Sequence, residues 1–170
     1  MALELTTHKE DHRIAYLAAL AIAIHIAESA FPSPIPGIKP GLANVVTVAV
    51  LIEFGWAAAA WVSLLRVVVG SLIIGTFLSP TFALSLSGAL ASLSVLFIAY
   101  RLFGHAYGPV GYCLLASLAH IGGQFVAAYL LFIPHAGLIN LLPILLTAAI
   151  AFGLASGWIT QAMINTRARE

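Results

Sequence analysis

Acidic side chains are scarce in this chain, and aspartate most of all: Asp11 is the only one in 170 residues. A prenyl-diphosphate synthase holds magnesium and diphosphate through paired aspartate-rich motifs, because Mg²⁺ takes hard carboxylate oxygens. Those motifs are missing. So is a phosphate-cradling glycine-rich loop ending in Lys-Ser/Thr, which excludes ATP binding in the usual way. Cysteine occurs once, Cys113, inside an apolar run. One cysteine excludes an internal disulfide framework and a thiolate metal cluster, and a small buried hydrophobe is its expected role. The single His-x-x-Glu, His25 to Glu28, lacks the further ligands that a metal site needs. No serine, histidine and acid can be placed together at reacting geometry. No enzyme activity, cofactor or metal is therefore expected. A net charge of +1 gives no basic surface for nucleic acid.

Charge of either sign is low, at 8% of residues, whereas 62% are hydrophobic and the mean hydropathy is +1.06. A soluble domain carries about 25% charged residues. So much apolar surface cannot be hidden in one water-soluble core, and the chain reads as an integral membrane protein. About 20 apolar residues in a helix cross the hydrocarbon of a bilayer. Six candidate spans follow: 14–30, 42–52, 56–74, 82–103, 110–132 and 138–163. Pro, Gly, Asn and Ser mark the boundaries. The runs are too long for barrel strands and lack period-two alternation. The second span is short, and is expected to be tilted, partly unwound or longer than these bounds. The first is read as a retained helix, since further spans follow it and no cleaved soluble domain is evident. The expected organisation is a short cytoplasmic segment 1–13, one membrane domain 14–163 and a short tail 164–170.

Orientation follows from the basic residues. With both termini on one side, that side holds Lys9, Arg13, Arg101, Arg167 and Arg169, and the other holds Lys39. Basic loops face the cytoplasm, so both ends are expected inside. This topology assigns a depth to each polar residue. Arg66 falls near the midplane of the third span. His120 and Gln124 share one face of the fifth, from the middle to the outer half. His25 and Glu28 lie near the outer end of the first, Asn44 at the outer start of the second, and Asn140 at the outer start of the sixth. Lys39 lies in the first outer loop, and Thr76, Ser79 and Thr81 in the second.

An ionisable residue inside a membrane is costly and is a functional hypothesis by default. The clustering in the outer half describes a pocket open to the outside and closed by packed helices within. Arg66, His120, Gln124, Lys39, Asn44 and Asn140 are its candidate ligand-binding residues. Plainer readings stand beside this. Arg66 can bond backbone carbonyls or pair with Glu28. His120 and Gln124 can be interhelical glue. His25 and Glu28 can simply meet the interface, and the loop hydroxyls can cap helices. A second feature is Ala15, Ala19, Ala23 and Ala27, which recur every four residues. Such a stripe serves either packing within the bundle or close approach by a separate membrane protein.

The stretches "FPSPIPGIKPGLANVVTV", "LLRVVVGSLIIGTFLSPTFALSLSGALAS" and "LAHIGGQFVAAYLL" carry a likeness. From about Ile14 to Ile159 the chain resembles the Gx transporter family, also labelled heptaprenyl diphosphate synthase component I. That family in turn looks like the substrate-binding S components of energy-coupling factor transporters. The resemblance implies a six-helix bundle in the plasma membrane of a prokaryote, in contact with membrane lipid, that captures a vitamin or related micronutrient from outside. It implies docking through an Ala-x-x-x-Ala first helix onto a transmembrane coupling subunit driven by two cytoplasmic ATPases. Ala15, Ala19, Ala23 and Ala27 would be that docking stripe. Phe31–Pro40, with Pro34, Pro36 and Gly37, would gate the pocket, helped by Thr76 and Ser79. The alternative is an accessory membrane subunit of heptaprenyl diphosphate or quinone biosynthesis, and a stand-alone secondary carrier comes third.

Overall fold

The structure is a computed structural model that describes residues 9–30 and 44–167. Every regular element among them is helical. The helices are α1 (Lys9–Ser29), α2 (Asn44–Phe54), α3 (Trp56–Ile74), α4 (Pro80–Phe103), α5 (Pro109–Ala127) and α6 (Leu142–Arg167). A π-helical turn, Ala128–Phe132, continues α5, and a 3₁₀ segment, Ala136–Leu141, leads into α6. Four described helical stretches are long and apolar enough to cross a membrane: 56–74, 80–103, 109–132 and 136–166. That is the pattern of a multi-pass membrane protein. Their outward surfaces are apolar, as Trp61, Leu102, Leu130 and Trp158 illustrate.

Local sequence explains where the helices stop. Gly55, at φ +83°, breaks α2 from α3 and folds them into a hairpin. Gly75, at φ +77°, ends α3 in the left-handed conformation that glycine adopts without strain, and the N–H of Thr76 returns to the Ser71 carbonyl. Ser79 caps α4 by accepting from Phe82 N–H, with Pro80 at the first helical position. Pro109 opens α5 in the same way.

Two ends of the bundle can thus be named by their turns. The Gly55 end is aromatic. Trp56 lies against Phe97 with ring centroids 5.0 Å apart, Arg101 sits over Phe97, and Phe103 meets Tyr107. The Tyr112 hydroxyl donates to the Gly104 carbonyl. This girdle belongs where Trp, Tyr and Arg concentrate at a membrane surface.

The expected second span is described over eleven residues, Asn44–Phe54. The first eight of these, Asn44–Leu51, are all buried, enclosed by the other helices. α6 holds it: the Thr160 hydroxyl lies 2.8 Å from the Ser156 carbonyl and 3.3 Å from the Val45 carbonyl, with the Cys113 thiol 3.4 Å away. Cys113 is buried in this junction of α2, α5 and α6.

α5 packs between α4 and α6 through small residues. A Cβ on Gly123 would lie 2.7 Å from the Ser87 carbonyl oxygen and 2.6 Å from Ala91 Cβ. One on Gly157 would lie 2.5 Å from Val110 Cα, and one on Gly153 3.1 Å from Leu114 Cα. Gly153 and Gly157 form a Gly-x-x-x-Gly face, which lets helix backbones approach closely where lipid supplies no hydrophobic drive between them. Gly122, beside Gly123, faces open space. Gly123→Ala is therefore expected to cost about 1–3 kcal/mol through overpacking, whereas Gly122→Ala is neutral or mildly stabilising through helix propensity. Thermal melts of the two purified variants in detergent check this; equal melting temperatures would reject the close crossing.

Candidate ligand-binding site in the membrane

The hairpin at Gly55 determines which residues of α2 and α3 meet. Asn44 is eleven residues before Gly55 and Arg66 eleven after it, so two antiparallel helices bring them level. Arg66 Nη2 donates to Asn44 Oδ1 at 2.8 Å. Arg66 is 2% exposed and Asn44 is fully buried. Asn44 thus sits level with Arg66 rather than at the outer surface where the sequence placed it. The reason is the hairpin at Gly55, which sets residues eleven before and eleven after it side by side.

α1 contributes from the other side. His25 and Glu28 are both buried, not resting at an interface. The His25 ring fills the space over Gly70, one turn beyond Arg66; a Cβ there would be 2.7 Å from His25 Cδ2. The negative charge of Glu28 lies close enough to act on Arg66.

His120 and Gln124 occupy the α4–α5 seam. They are one turn apart on α5, with Gln124 Nε2 3.1 Å from His120 Nε2. Both side chains lie against Gly88, where a Cβ would be 2.8 Å from Gln124 Cγ and 2.9 Å from His120 Cε1. Depth can be compared through the aromatic contact. Trp56 is level with Phe97, and α3 and α4 run in opposite directions. Ten residues along α3 from Trp56 is Arg66, and ten residues back from Phe97 is Ser87, beside Gly88. Both displacements are about 15 Å at 1.5 Å per residue. Arg66 and the His120–Gln124 pair therefore share one level, and the buried polar residues form a belt across α1 to α5.

Several hydroxyls, the buried Thr160 among them, are satisfied within their own helices. Ser94, Thr147 and Thr166, all exposed, donate to carbonyls of their own helices at 2.8 to 2.9 Å. The buried Ser63, Ser85, Ser92, Ser117 and Ser156 have no hydrogen-bond partner for Oγ among the described residues, and neither do Arg66 Nε and Asn44 Nδ2. Such buried atoms are costly to leave unmatched. Two apolar grooves, of about 450 Å³ along Pro143 to Ala151 of α6 and about 210 Å³ between Val95 and Leu115, lie on the outside of the bundle. Neither includes a residue of the belt.

The other expected site residues fall elsewhere. Asn140 is exposed on the 3₁₀ segment before α6 and does not join the belt. Thr76 and Ser79 build the α3–α4 turn, where the Ser79 hydroxyl donates to the Thr76 carbonyl. Lys39, Pro34, Pro36 and Gly37 lie outside the described residues. Ala15, Ala19, Ala23 and Ala27 are all exposed, on the side of α1 turned away from its buried face of Leu17, Ala18, Ala21, His25 and Glu28. The stripe is therefore not used for packing inside the bundle. Of the residues left off the candidate set, His25 and Glu28 matter most. Their signal was a His and a Glu one turn apart in an otherwise apolar helix.

A family model described as heptaprenyl diphosphate synthase component I matches residues 17–163, which includes every residue of the belt. No curated protein and no solved structure matches the chain.

Removing one member of a buried charge pair leaves the other uncompensated, at a cost of about 3–5 kcal/mol. Arg66→Met should therefore destabilise by about that much, and Arg66→Met with Glu28→Gln by less than Arg66→Met alone. A double-mutant cycle on denaturation free energies measures the coupling; additive effects would separate the two residues.

Proposed function

The chain belongs to the heptaprenyl diphosphate synthase component I family, and from that premise we propose that it is a solute-binding membrane component of an energy-coupling-factor-type importer. In this reading six helices lie in the plasma membrane of a prokaryote with both termini inside. The aromatic Gly55 end, which carries Arg101, faces the cytoplasm, and the belt of polar residues opens from the outer half. The ligand is a small polar or anionic micronutrient. Arg66, Asn44, His120 and Gln124 are its binding residues, with His25 and Glu28 added from α1.

One observation carries the reading: buried polar side chains from α1 to α5 share one depth, and several of their atoms have no protein partner among the described residues. A concave, mostly apolar site with a few convergent polar groups is the usual form of a small-molecule site. The outward alanine stripe supplies the second half of the mechanism. Four exposed alanines on one helix allow a transmembrane coupling subunit to approach at backbone distance. That subunit and two cytoplasmic ATPases would provide the energy, since the chain has no nucleotide-binding loop of its own.

The family's name favours a second reading, an accessory membrane subunit that associates with a soluble, aspartate-rich prenyl-diphosphate synthase. The two readings differ in what travels with the protein. Mass spectrometry of gently purified protein should find a polar metabolite, a coupling subunit and an ATPase pair. A prenyl species with a soluble synthase and no ATPase would favour the second reading. Ala19→Leu and Ala23→Leu should leave the melting temperature unchanged, because both positions are exposed, while abolishing co-purification of the coupling subunit. Retained co-purification would remove the stripe from the docking surface.

A further inference from the structure

The chain enters α6 through a short turn that a histidine caps. α5 starts at the aromatic Gly55 end, so its π-helical turn and the 3₁₀ segment Ala136–Leu141 lie at the opposite end of the bundle. His135 stands just before the 3₁₀ segment in an extended conformation, φ −127° and ψ 130°. Its side chain turns back, and Nδ1 accepts from Gly137 N–H at 3.0 Å. Its carbonyl accepts from Leu138 N–H at 2.9 Å. Gly137 makes room for the ring: a Cβ there would lie 2.9 Å from His135 Nδ1 and 3.2 Å from Cε1.

A cap satisfies an N–H that a helical start leaves without an acceptor. Ser, Thr, Asp and Asn are the usual caps, and all of them accept at neutral and mildly acidic pH alike. Histidine accepts only while Nδ1 keeps its lone pair. Protonation makes both ring nitrogens donors, and histidine changes charge between about pH 5 and about pH 8. Nδ1–H would then face Gly137 N–H, donor against donor, and the ring must swing away. The cap is therefore present above the titration and lost as pH falls through it.

Neighbouring charges do not interfere. His135 is exposed, so protons reach it from water. Among the described residues, the elements packed against the segment carry no charged group near it. α6 has none before Arg167, at its far end. α5 and its π turn carry Tyr112, Cys113, the buried His120 and Tyr129, and α4 carries Tyr100 and Arg101 toward the Gly55 end. Lys39 lies outside the described residues.

What the segment covers gives the cap a use. Leu138 is 6% exposed and packs in the cluster of Leu84, Ile121, Ala128, Leu145 and Ala149, which joins α4, α5 and α6. Ile121 is next to His120 on α5. We infer that His135 is an acid-labile latch: the neutral ring holds the 3₁₀ segment as a cover on this cluster, and protonation releases the cover. That the pH sensed is the external one rests on the orientation of the importer reading; the latch itself does not.

Hydrogen–deuterium exchange of the full chain in detergent reads the latch at the amides of residues 136–141. It is compared at about pH 8 and about pH 5, after correction for intrinsic exchange and with the α6 amides as reference. In wild-type protein, exchange of the segment should rise about fivefold or more in acid, the size of effect that loss of a helix cap produces. His135→Asn supplies an acceptor that does not titrate and should keep the segment protected at both pH values. His135→Phe keeps a ring without an acceptor and should exchange fast at both. A wild-type segment unchanged between the two pH values overturns the inference, as does an acid response in His135→Asn equal to that of wild type. Failure of the importer reading looks different: an acid response in a chain with no ATPase partner rejects transport and leaves the latch standing, and a full transporter complex with no acid response rejects the latch alone.

Discussion

The hydrogen bond from Arg66 to Asn44 is the constraint on which the rest of the bundle turns. A guanidinium cannot be left bare in the low-dielectric interior of a membrane. Asn44 meets it because the α2–α3 hairpin at Gly55 sets the residues eleven before and eleven after the glycine side by side. The hairpin thus places α2 against the buried cation. Thr160 and Cys113 hold α2 in place from α6 and α5.

The polar groups gathered around the buried α2 must in turn be accommodated by the neighbouring helices. They do so with small residues. Gly70 makes room for the His25 ring, Gly88 for His120 and Gln124, and Gly123, Gly153 and Gly157 let α4, α5 and α6 approach to backbone distance. The same residue type serves two purposes at different positions. At Gly70 and Gly88 it admits a polar side chain into the bundle. Along the α5–α6 seam it excludes everything but backbone. The polar belt is bounded by this difference.

Much of this was legible in the sequence. The span 56–74 coincides with α3, because Gly55 and Gly75 bound it. The mid-depth of Arg66 and the shared face of His120 and Gln124 needed only helical spacing. What sequence could not show was register between helices. Asn44 was placed at the outer start of the second span; the hairpin at Gly55 sets it level with Arg66, fully buried. Asn140 looked like the start of a helix inside the site, but a 3₁₀ segment carries it to the surface. The alanine stripe was visible, yet a four-residue repeat does not say which side of α1 faces the bundle. Leu17, Ala18 and Ala21 settle that by being buried. For His25 and Glu28 the sequence left an interfacial place open beside a place in the polar cluster and a pairing of Glu28 with Arg66; they are buried, and Gly70 on α3 leaves the space for the His25 ring.

Whether the polar belt is merely adhesive can be argued from its hydroxyls. Serine in a membrane helix is readily satisfied by the carbonyl one turn back, and the exposed Ser94, Thr147 and Thr166 all use that route. An adhesive seam would direct the buried serines to each other across the helix interface. Among the described residues Ser85 and Ser117 instead have neither bond, on the same two helices that carry Gly88 and His120. Arg66 Nε and Asn44 Nδ2 likewise have no partner among the described residues. Glue would use every donor it brought into the membrane, because an unmatched one costs more than the bond it replaces. The donors and hydroxyls left unmatched among the described residues are the groups that the proposed solute would engage.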